Sequence, residues 1–473
     1  MISRRDVLRL CLSGALALAG AVSVIVHLEA QQVITTENGA GSDNGFFRVT
    51  GAPKFLLFIS YFDAMRRSNY GGYNNGDLDT DFAYLKAHGY DGIRIFPNWW
   101  KYYCTTSPGT SKADDGLFTQ TSSLREAKID VFLRVLDKAA EHGLLVDVSF
   151  TRETLDDFGT TVDDPTITEY QDQMVAVTEL LEGDYPHVFF DLQNEFNSHG
   201  GLEDAIDEIA TAVREADPNR YITVSTGSGY HAAAGIIAYT ADLDITAVHP
   251  ARDTDDWWTD EIEDAVTEAR TGMGPPYRPI YLQEPMPFST VNDCTGSPKD
   301  DSTNHHFDAA LKAKAEGAAA WTFHTRTTMD LATDSYVEKL DTLLSEEEIV
   351  EDLKLGLKTQ EWGITPPWVD GTITASTTVI KAIHIMELRG RVDALRERWA
   401  LSPYGWTDEV LTPGSTTVKA VHIQELRSAL NAAYTAAGSG TPTYYESVSS
   451  GNTIKKLHID ETRGFVIGLE AVW

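Results

Sequence analysis

Cysteine is nearly missing from this chain of 473 residues: there are 3, and Cys11 lies in the N-terminal segment. The remaining two, Cys104 and Cys294, match no zinc-ligand spacing, so no metal site is expected of them. Both fall in loops expected on one face. A disulfide between them is left open, since sequence does not supply the Cα separation a bridge demands. Positive charge is scarce too. Against 71 Asp and Glu stand 38 Lys and Arg, a formal net charge of -33. With no basic surface to neutralise phosphates, nucleic acid is excluded as a partner. No glycine-rich loop follows any early strand-like run, which argues against a dinucleotide or phosphate cradle. Beyond residue 30 no run is long and apolar enough to span a bilayer.

What the chain does have begins at its N-terminus. Ser3-Arg4-Arg5 precedes an apolar run from Val7 to Val26, and Leu28-Glu29-Ala30 offers a small residue at a cut site. Residues 1–30 therefore read as an export signal resembling the twin-arginine type. The expected location is secreted, extracellular or periplasmic after cleavage, without stable membrane insertion of the mature chain. An uncleaved anchor is the competing reading.

From there, strand-like and helical patterns alternate. The apolar runs are Phe55–Phe62, Gly92–Phe96, Leu144–Phe150, Val188–Gln193, Tyr221–Thr226, Asp244–Val248, Pro279–Gln283 and Ala318–Phe323. Amphipathic stretches such as Leu124–His142, Thr168–Glu182 and Leu202–Ala216 separate them. Alternation of this kind implies parallel pairing through right-handed crossovers, and eight strands close a barrel. The fold class expected is α/β: a (β/α)8 TIM barrel over residues 31–345. Phe46–Pro53 reads as a strand and turn ahead of the first run.

A linker over 346–367, with Pro366-Pro367 at its end, leads to a small all-α repeat module over 368–473. KAIHIMELR from Lys381 recurs as KAVHIQELR from Lys419 and KKLHIDETR from Lys455, with His384, His422 and His458 spaced by 38 and then 36 residues. Trp368, Trp406 and Tyr444 lead the three copies. Each copy is preceded by Thr or Asn in a cap-like position. His and Glu at i and i+3 invite a metal reading; a recurrent His–Glu–Arg network is the plainer one.

Two carboxylates carry the chemistry. The run VFFDLQNEFN from Val188 places Asn194-Glu195 where a strand stops, and PIYLQEP from Pro279 does the same for Glu284. Acids at strand ends stand at the mouth of a barrel, where two facing each other can break a glycosidic bond: one protonates the leaving oxygen, the other attacks the sugar carbon or activates water.

On these residues the region 46–345 resembles a clan A glycoside hydrolase, close in pattern to the family five cellulases and mannanases. The resemblance implies that Glu195, after Asn194 at the fourth strand, is the general acid/base. It implies that Glu284, at the seventh, is the nucleophile of a retaining reaction with no cofactor and no metal. Arg94 in GIRIFP would hold the nucleophile ionised, and Asn194 would bond the sugar 2-hydroxyl. His249 in AVHPAR matches a histidine of the family's site, and Trp321 in AAAWTFH a sugar-stacking tryptophan. The Phe47–Phe55 stretch is similar to the hairpin that floors such barrels. Two positions depart from the pattern. Ser149 stands where the family has His, and Ala251 where it has a Tyr bonding the nucleophile, so another loop supplies that donor or Glu284 is tuned differently.

Aromatic pairs after the second and sixth strands, Trp99-Trp100 with Tyr102-Tyr103 and Trp257-Trp258, suit a polysaccharide cleft or ordinary loop packing. His305-His306 is read as exposed. The function expected is a secreted retaining β-glycosidase hydrolysing O-glycosidic bonds in a polysaccharide, cellulase/β-glucanase or mannanase-like. An exo-acting β-glycosidase on oligosaccharides and a catalytically inactive carbohydrate-binding barrel are the alternatives. The C-terminal repeats are candidates for cell-surface or glycan contact.

Overall fold

The computed structural model describes residues 32–39, 44–62, 64–69, 76–97, 116–118, 123–152, 165–197, 202, 205–227, 242–251, 256–285, 303–324, 357, 362, 368, 370–375, 377–399, 401–412 and 415–472. Cys104, Cys294, Trp99, Trp100 and the expected export signal lie outside them. Among the described residues no helix is long and apolar enough to cross a membrane.

All eight expected runs form parallel strands of one sheet. In chain order these are β4 (Leu56–Ser60), β5 (Gly92–Ile95), β6 (Leu145–Ser149), β7 (Val188–Asp191), β8 (Ile222–Thr223), β9 (Thr246–Val248), β10 (Ile280–Leu282) and β11 (Ala320–Phe323). β4 pairs with both β5 and β11, and a parallel bridge from Ser225 to Ala247 joins the β8 and β9 edges. The sheet is therefore closed into a barrel.

Side chains alternate inward and outward along each strand. Leu57, Ile59, Ile93, Ile95, Val146, Val148, Phe190 and Trp321 join the large core between the strands and the surrounding helices. The inward set changes character with height. At the N-terminal end of the strands Leu56, Phe58, Leu145, Phe189, Ala247, Tyr281 and Ala320 form an apolar plug. Gly92 is part of it: a Cβ there would meet the Phe58 ring at 2.3 Å and the Leu145 carbonyl oxygen at 2.7 Å. One or two inward positions later the same strands carry Ser60, Arg94, Asp147, Ser149, Asp191 and Thr322, all buried. Apolar floor and polar ceiling follow from one periodicity.

A three-stranded antiparallel sheet, β1 (Ile34–Glu37), β2 (Phe46–Val49) and β3 (Ala52–Lys54), seals the floor. Phe47 packs on Phe189 at 6.1 Å, and the Ile34 N–H donates to the Pro186 carbonyl. From the stretch expected to be a linker, Leu357 and Trp362 are buried in the barrel core, and the Trp362 indole donates to the Ala318 carbonyl at 3.0 Å.

The three repeats form helices α8 (Ala382–Arg398), α9 (Ala420–Ala436) and α10 (Lys456–Glu470), following the seven described helices α1 (Ala64–Asn69), α2 (Gly76–Ala87), α3 (Glu126–Glu141), α4 (Ile167–Leu181), α5 (Ile206–Ala216), α6 (Asp260–Met273) and α7 (Thr303–Ala315) of the barrel region. The expected Thr or Asn cap is replaced. Each His folds back so that its Nδ1 accepts the backbone N–H of the Lys three residues earlier, at 3.1, 3.2 and 3.1 Å. Its Nε2 meets an acid of the preceding loop: Asp370, Asp408 or Glu446. With both ring nitrogens engaged, these histidines are caps rather than metal ligands.

The arginines link the copies in a ring. Arg389 reaches the Asp408 carbonyl and Glu425 of the second repeat, Arg427 the Glu446 carbonyl and Glu461 of the third, and Arg463 the Asp370 carbonyl and Glu387 of the first. Each also lies over the aromatic that leads the next copy: Trp406, Tyr444 and Trp368. The module meets the barrel where Arg398 donates to the Pro53 carbonyl and Lys314 to that of Ala471.

His422→Ala is expected to cost about 1–2 kcal/mol locally, the usual worth of a helix cap. Hydrogen exchange should quicken through Ala420–Ala436 and stay unchanged in β5–β7; unchanged protection of α9 would refute the capping role.

Candidate active site

The acids expected from sequence meet at the C-terminal mouth of the barrel. Glu284 follows β10 by two residues and is buried; Glu195 lies beyond the end of β7 and is half-buried. One oxygen of each, with a ring nitrogen of His249, lie within 4.8 Å of one another. Glu195 sits at φ 51°, in the left-handed region that costs a non-glycine residue on the order of 1–3 kcal/mol. Local bonds hold that turn: the Asn194 N–H donates to the Phe150 carbonyl at 2.7 Å and the Glu195 N–H to Ser225 Oγ at 3.1 Å.

Arg94 is the electrostatic centre. Its guanidinium donates to Glu284 Oε1 at 2.7 Å, Asn194 Oδ1 at 2.5 Å and Ser149 Oγ at 2.8 Å. Asp147 and Asp191 approach it at 3.5 and 3.6 Å. Burial alone would lower the Arg94 pKa; the three carboxylates outweigh it and keep the guanidinium firmly charged. Burial pushes Asp147 up to about 7, with Arg94 pulling down and Asp191 pushing further up. Asp191 is raised by burial as well, against the pull of Arg94. One cation cannot balance three buried anions, so burial disfavours ionisation of the aspartate pair, and Arg94 serves Glu284.

Two histidines stand over the acids. His249 Nδ1 lies 3.2 Å from Glu195 Oε1 and 3.6 Å from Glu284 Oε2. Gln283 donates its amide to Asp147 at 2.9 Å and turns its oxygen toward His249 Nε2 at 3.4 Å. That oxygen only accepts, so neutral His249 carries its proton on Nε2 and presents an acceptor at Nδ1. A protonated Glu195 is the matching donor. His324, from the end of β11, places Nε2 3.3 Å from Glu284 Oε2.

The structure corrects several sequence expectations. Trp321 is wholly buried and belongs to the outer core; it shares the outward parity of Phe323, so it offers no ring face to a sugar. Trp257 is buried against His306, and the Trp258 ring is stacked on His305 at 3.3 Å, so these serve loop packing. His306, read as exposed, is buried. Trp99 and Trp100 lie outside the described residues. Ser149 keeps Arg94 in place through its hydroxyl.

The sequence reading does not single out His324, Asp147, Asp191 or Gln283; alternation puts Ala320, Thr322 and His324 on one face, and the sheet shows that this face lines the barrel. Glu195, His249 and Glu284 could together chelate a divalent cation, at the expense of both carboxylates and in competition with Arg94.

A closed (β/α)8 barrel with two strand-end glutamates at its mouth is the arrangement that glycoside hydrolysis uses. Residues 59–267 match the family model Cellulase (glycosyl hydrolase family 5). No curated protein matches the chain. Among solved structures, GH5_18 from Streptomyces cattleya in complex with GlcNAc is 18% identical, with 57% of this chain and 70% of that one covered and a TM-score of 0.42. An endo-1,4-β-mannanase from Eisenia fetida is 16% identical, with 64% and 96% covered and a TM-score of 0.40. An exo-β-1,4-mannosidase from Opitutaceae bacterium strain TAV5 is 15% identical, with 80% and 76% covered and a TM-score of 0.44.

Proposed function

We propose that this glycoside hydrolase is a retaining β-glycosidase acting on a polysaccharide of the β-glucan or mannan kind, with Glu284 as nucleophile and Glu195 as acid/base. The observation that carries the reading is the approach of the two carboxylates and His249 within 4.8 Å. Retaining enzymes hold their carboxyl groups about 5–5.5 Å apart, whereas inversion needs roughly 6.5–9.5 Å to admit a water.

In the first step a Glu284 oxygen bonds to the anomeric carbon as the glycosidic C–O bond breaks, and Glu195 gives its proton to the leaving oxygen. In the second, Glu195 takes a proton from water, whose oxygen bonds to the anomeric carbon and releases Glu284. Arg94 supports the ionised nucleophile. Because Asn194 turns its oxygen to Arg94, its amide N–H groups are left for the sugar 2-hydroxyl. No metal enters this scheme, since Arg94 supplies the cation at Glu284.

The export reading of residues 1–30, and with it a secreted enzyme, rests on the paired arginines and the apolar run. Glycan contact through Trp368 and Trp406 is disfavoured: Arg391 and Arg463 lie over the first ring and Arg389 over the second.

Reducing-end release from β-glucan, cellulose, mannan, xylan and galactan, with NMR of the first anomer formed, tests the proposal. β-Glucan or mannan should yield β-configured ends. An α-configured first product would refute retention, and release from none of the five would refute the polysaccharide reading.

A further inference from the structure

Glu284 has more donors around it than Arg94. His324 is buried, and its two ring nitrogens have different partners: Nδ1 lies 2.6 Å from Ser60 Oγ, and Nε2 lies 3.3 Å from Glu284 Oε2. Ser60 closes β4 and is itself wholly buried. The Phe62 ring stands edge-on to the imidazole at 5.4 Å and stacks on Phe96 at 4.6 Å, which fixes the ring from the side. An ionised carboxylate accepts only, so the nitrogen facing it carries a proton. In the neutral imidazole Nδ1 is then the acceptor, and the Ser60 hydroxyl is the group that donates to it.

We propose that His324, held in its Nε2–H tautomer by Ser60, is the positioning donor for the second oxygen of the nucleophile. The sixth strand offers only Ala251 two residues after His249, whose side chain has no polar atom, and the eighth strand supplies the donor instead. Arg94 on Oε1 and His324 on Oε2 fix the plane of the Glu284 carboxylate, so that one orientation faces the anomeric carbon. His324 acts through Glu284 and touches no reacting atom of the sugar. The inference rests on Glu284 being the nucleophile.

The test uses the whole chain with 2,4-dinitrophenyl β-cellobioside and β-mannobioside, reading kcat and KM separately. His324→Ala should lower kcat on the order of 10–100-fold, the size expected for one charge-assisted hydrogen bond, with KM changed little. His324→Gln keeps an N–H near the same place and should recover most of the loss. Ser60→Ala should cost a few-fold alone and nothing further beside His324→Ala.

Three results would overturn the inference: wild-type kcat in His324→Ala, equal losses in the Ala and Gln variants, or a Ser60 effect that survives in full in the double variant. Failure of the underlying reading looks different. A wild-type enzyme inactive on both glycosides, or a Glu284→Gln variant as active as wild type, removes the nucleophile and this inference with it. Wild-type turnover lost in Glu284→Gln but kept in His324→Ala removes only the inference.

Discussion

Glu284→Gln is expected to lower kcat/KM by roughly 10⁴–10⁶-fold, the scale on which enzymes respond to loss of a covalent nucleophile. The change is nearly isosteric, and the amide oxygen still accepts from Arg94, so the fold should hold and the thermal midpoint move little. Activity and stability are thereby separated, which a simple packing defect would not do. Glu195→Gln should behave differently on two kinds of substrate. Cleavage of a polysaccharide needs a proton on a poor leaving group and should fall steeply. Release of dinitrophenolate needs none in the first step, so formation of the glycosyl-enzyme should be far less affected. Steady-state kinetics on both substrates, together with a burst of dinitrophenolate in Glu195→Gln, check the assignment. Equal losses on the two substrates would contradict it.

Arg94→Met is expected to be strongly destabilising. It leaves Glu284, Asp147 and Asp191 without their cation in a space that excludes water, and breaking a buried ion pair by removing one partner costs about 3–5 kcal/mol. The loss should depend on pH. Without the guanidinium the folded-state pKa values of Asp147 and Asp191, already raised by burial, rise further above their unfolded values, so the native state binds more protons. Stability of the variant is then greatest at low pH and declines as pH rises through those raised values. Urea unfolding at pH 5 and pH 7.5 should show a larger deficit against wild type at the higher pH. Arg94→Lys should rescue little, because an ammonium cannot reach Glu284, Asn194 and Ser149 at once from a rigid fork. A pH-independent deficit would show that packing, not charge, is what Arg94 supplies.

The barrel was legible because strands buried on both faces read as near-continuous apolar runs: PIYL is unbroken, and GIRIF and VFFDL are each interrupted by one charged residue. Where each run stopped on an acid, the mouth of the barrel was legible too. Parity was harder to read. In AAAWTFH the tryptophan draws attention as a sugar platform, yet it points outward with Phe323, while the inward face belongs to Ala320, Thr322 and His324. Register with the neighbouring strand settles which face is which, and a single run does not contain it. Asp147 and Asp191 pass for solvent-exposed strand residues until the strands are side by side, when Arg94 gathers them. In the module the repeat itself was plain. Its closure was not, since each arginine bonds to the following copy and the last returns to the first across the sequence.

The central claim is that Glu284 forms the covalent bond to the sugar. Incubation with 2,4-dinitrophenyl 2-deoxy-2-fluoro-β-cellobioside and the corresponding mannobioside, followed by intact mass and peptide mapping, tests it most directly. One of the two reagents should add a single glycosyl mass, on the peptide carrying Glu284, with activity lost in step. A label on the Glu195 peptide, or an enzyme that turns over the parent glycoside and takes no label, would contradict the account.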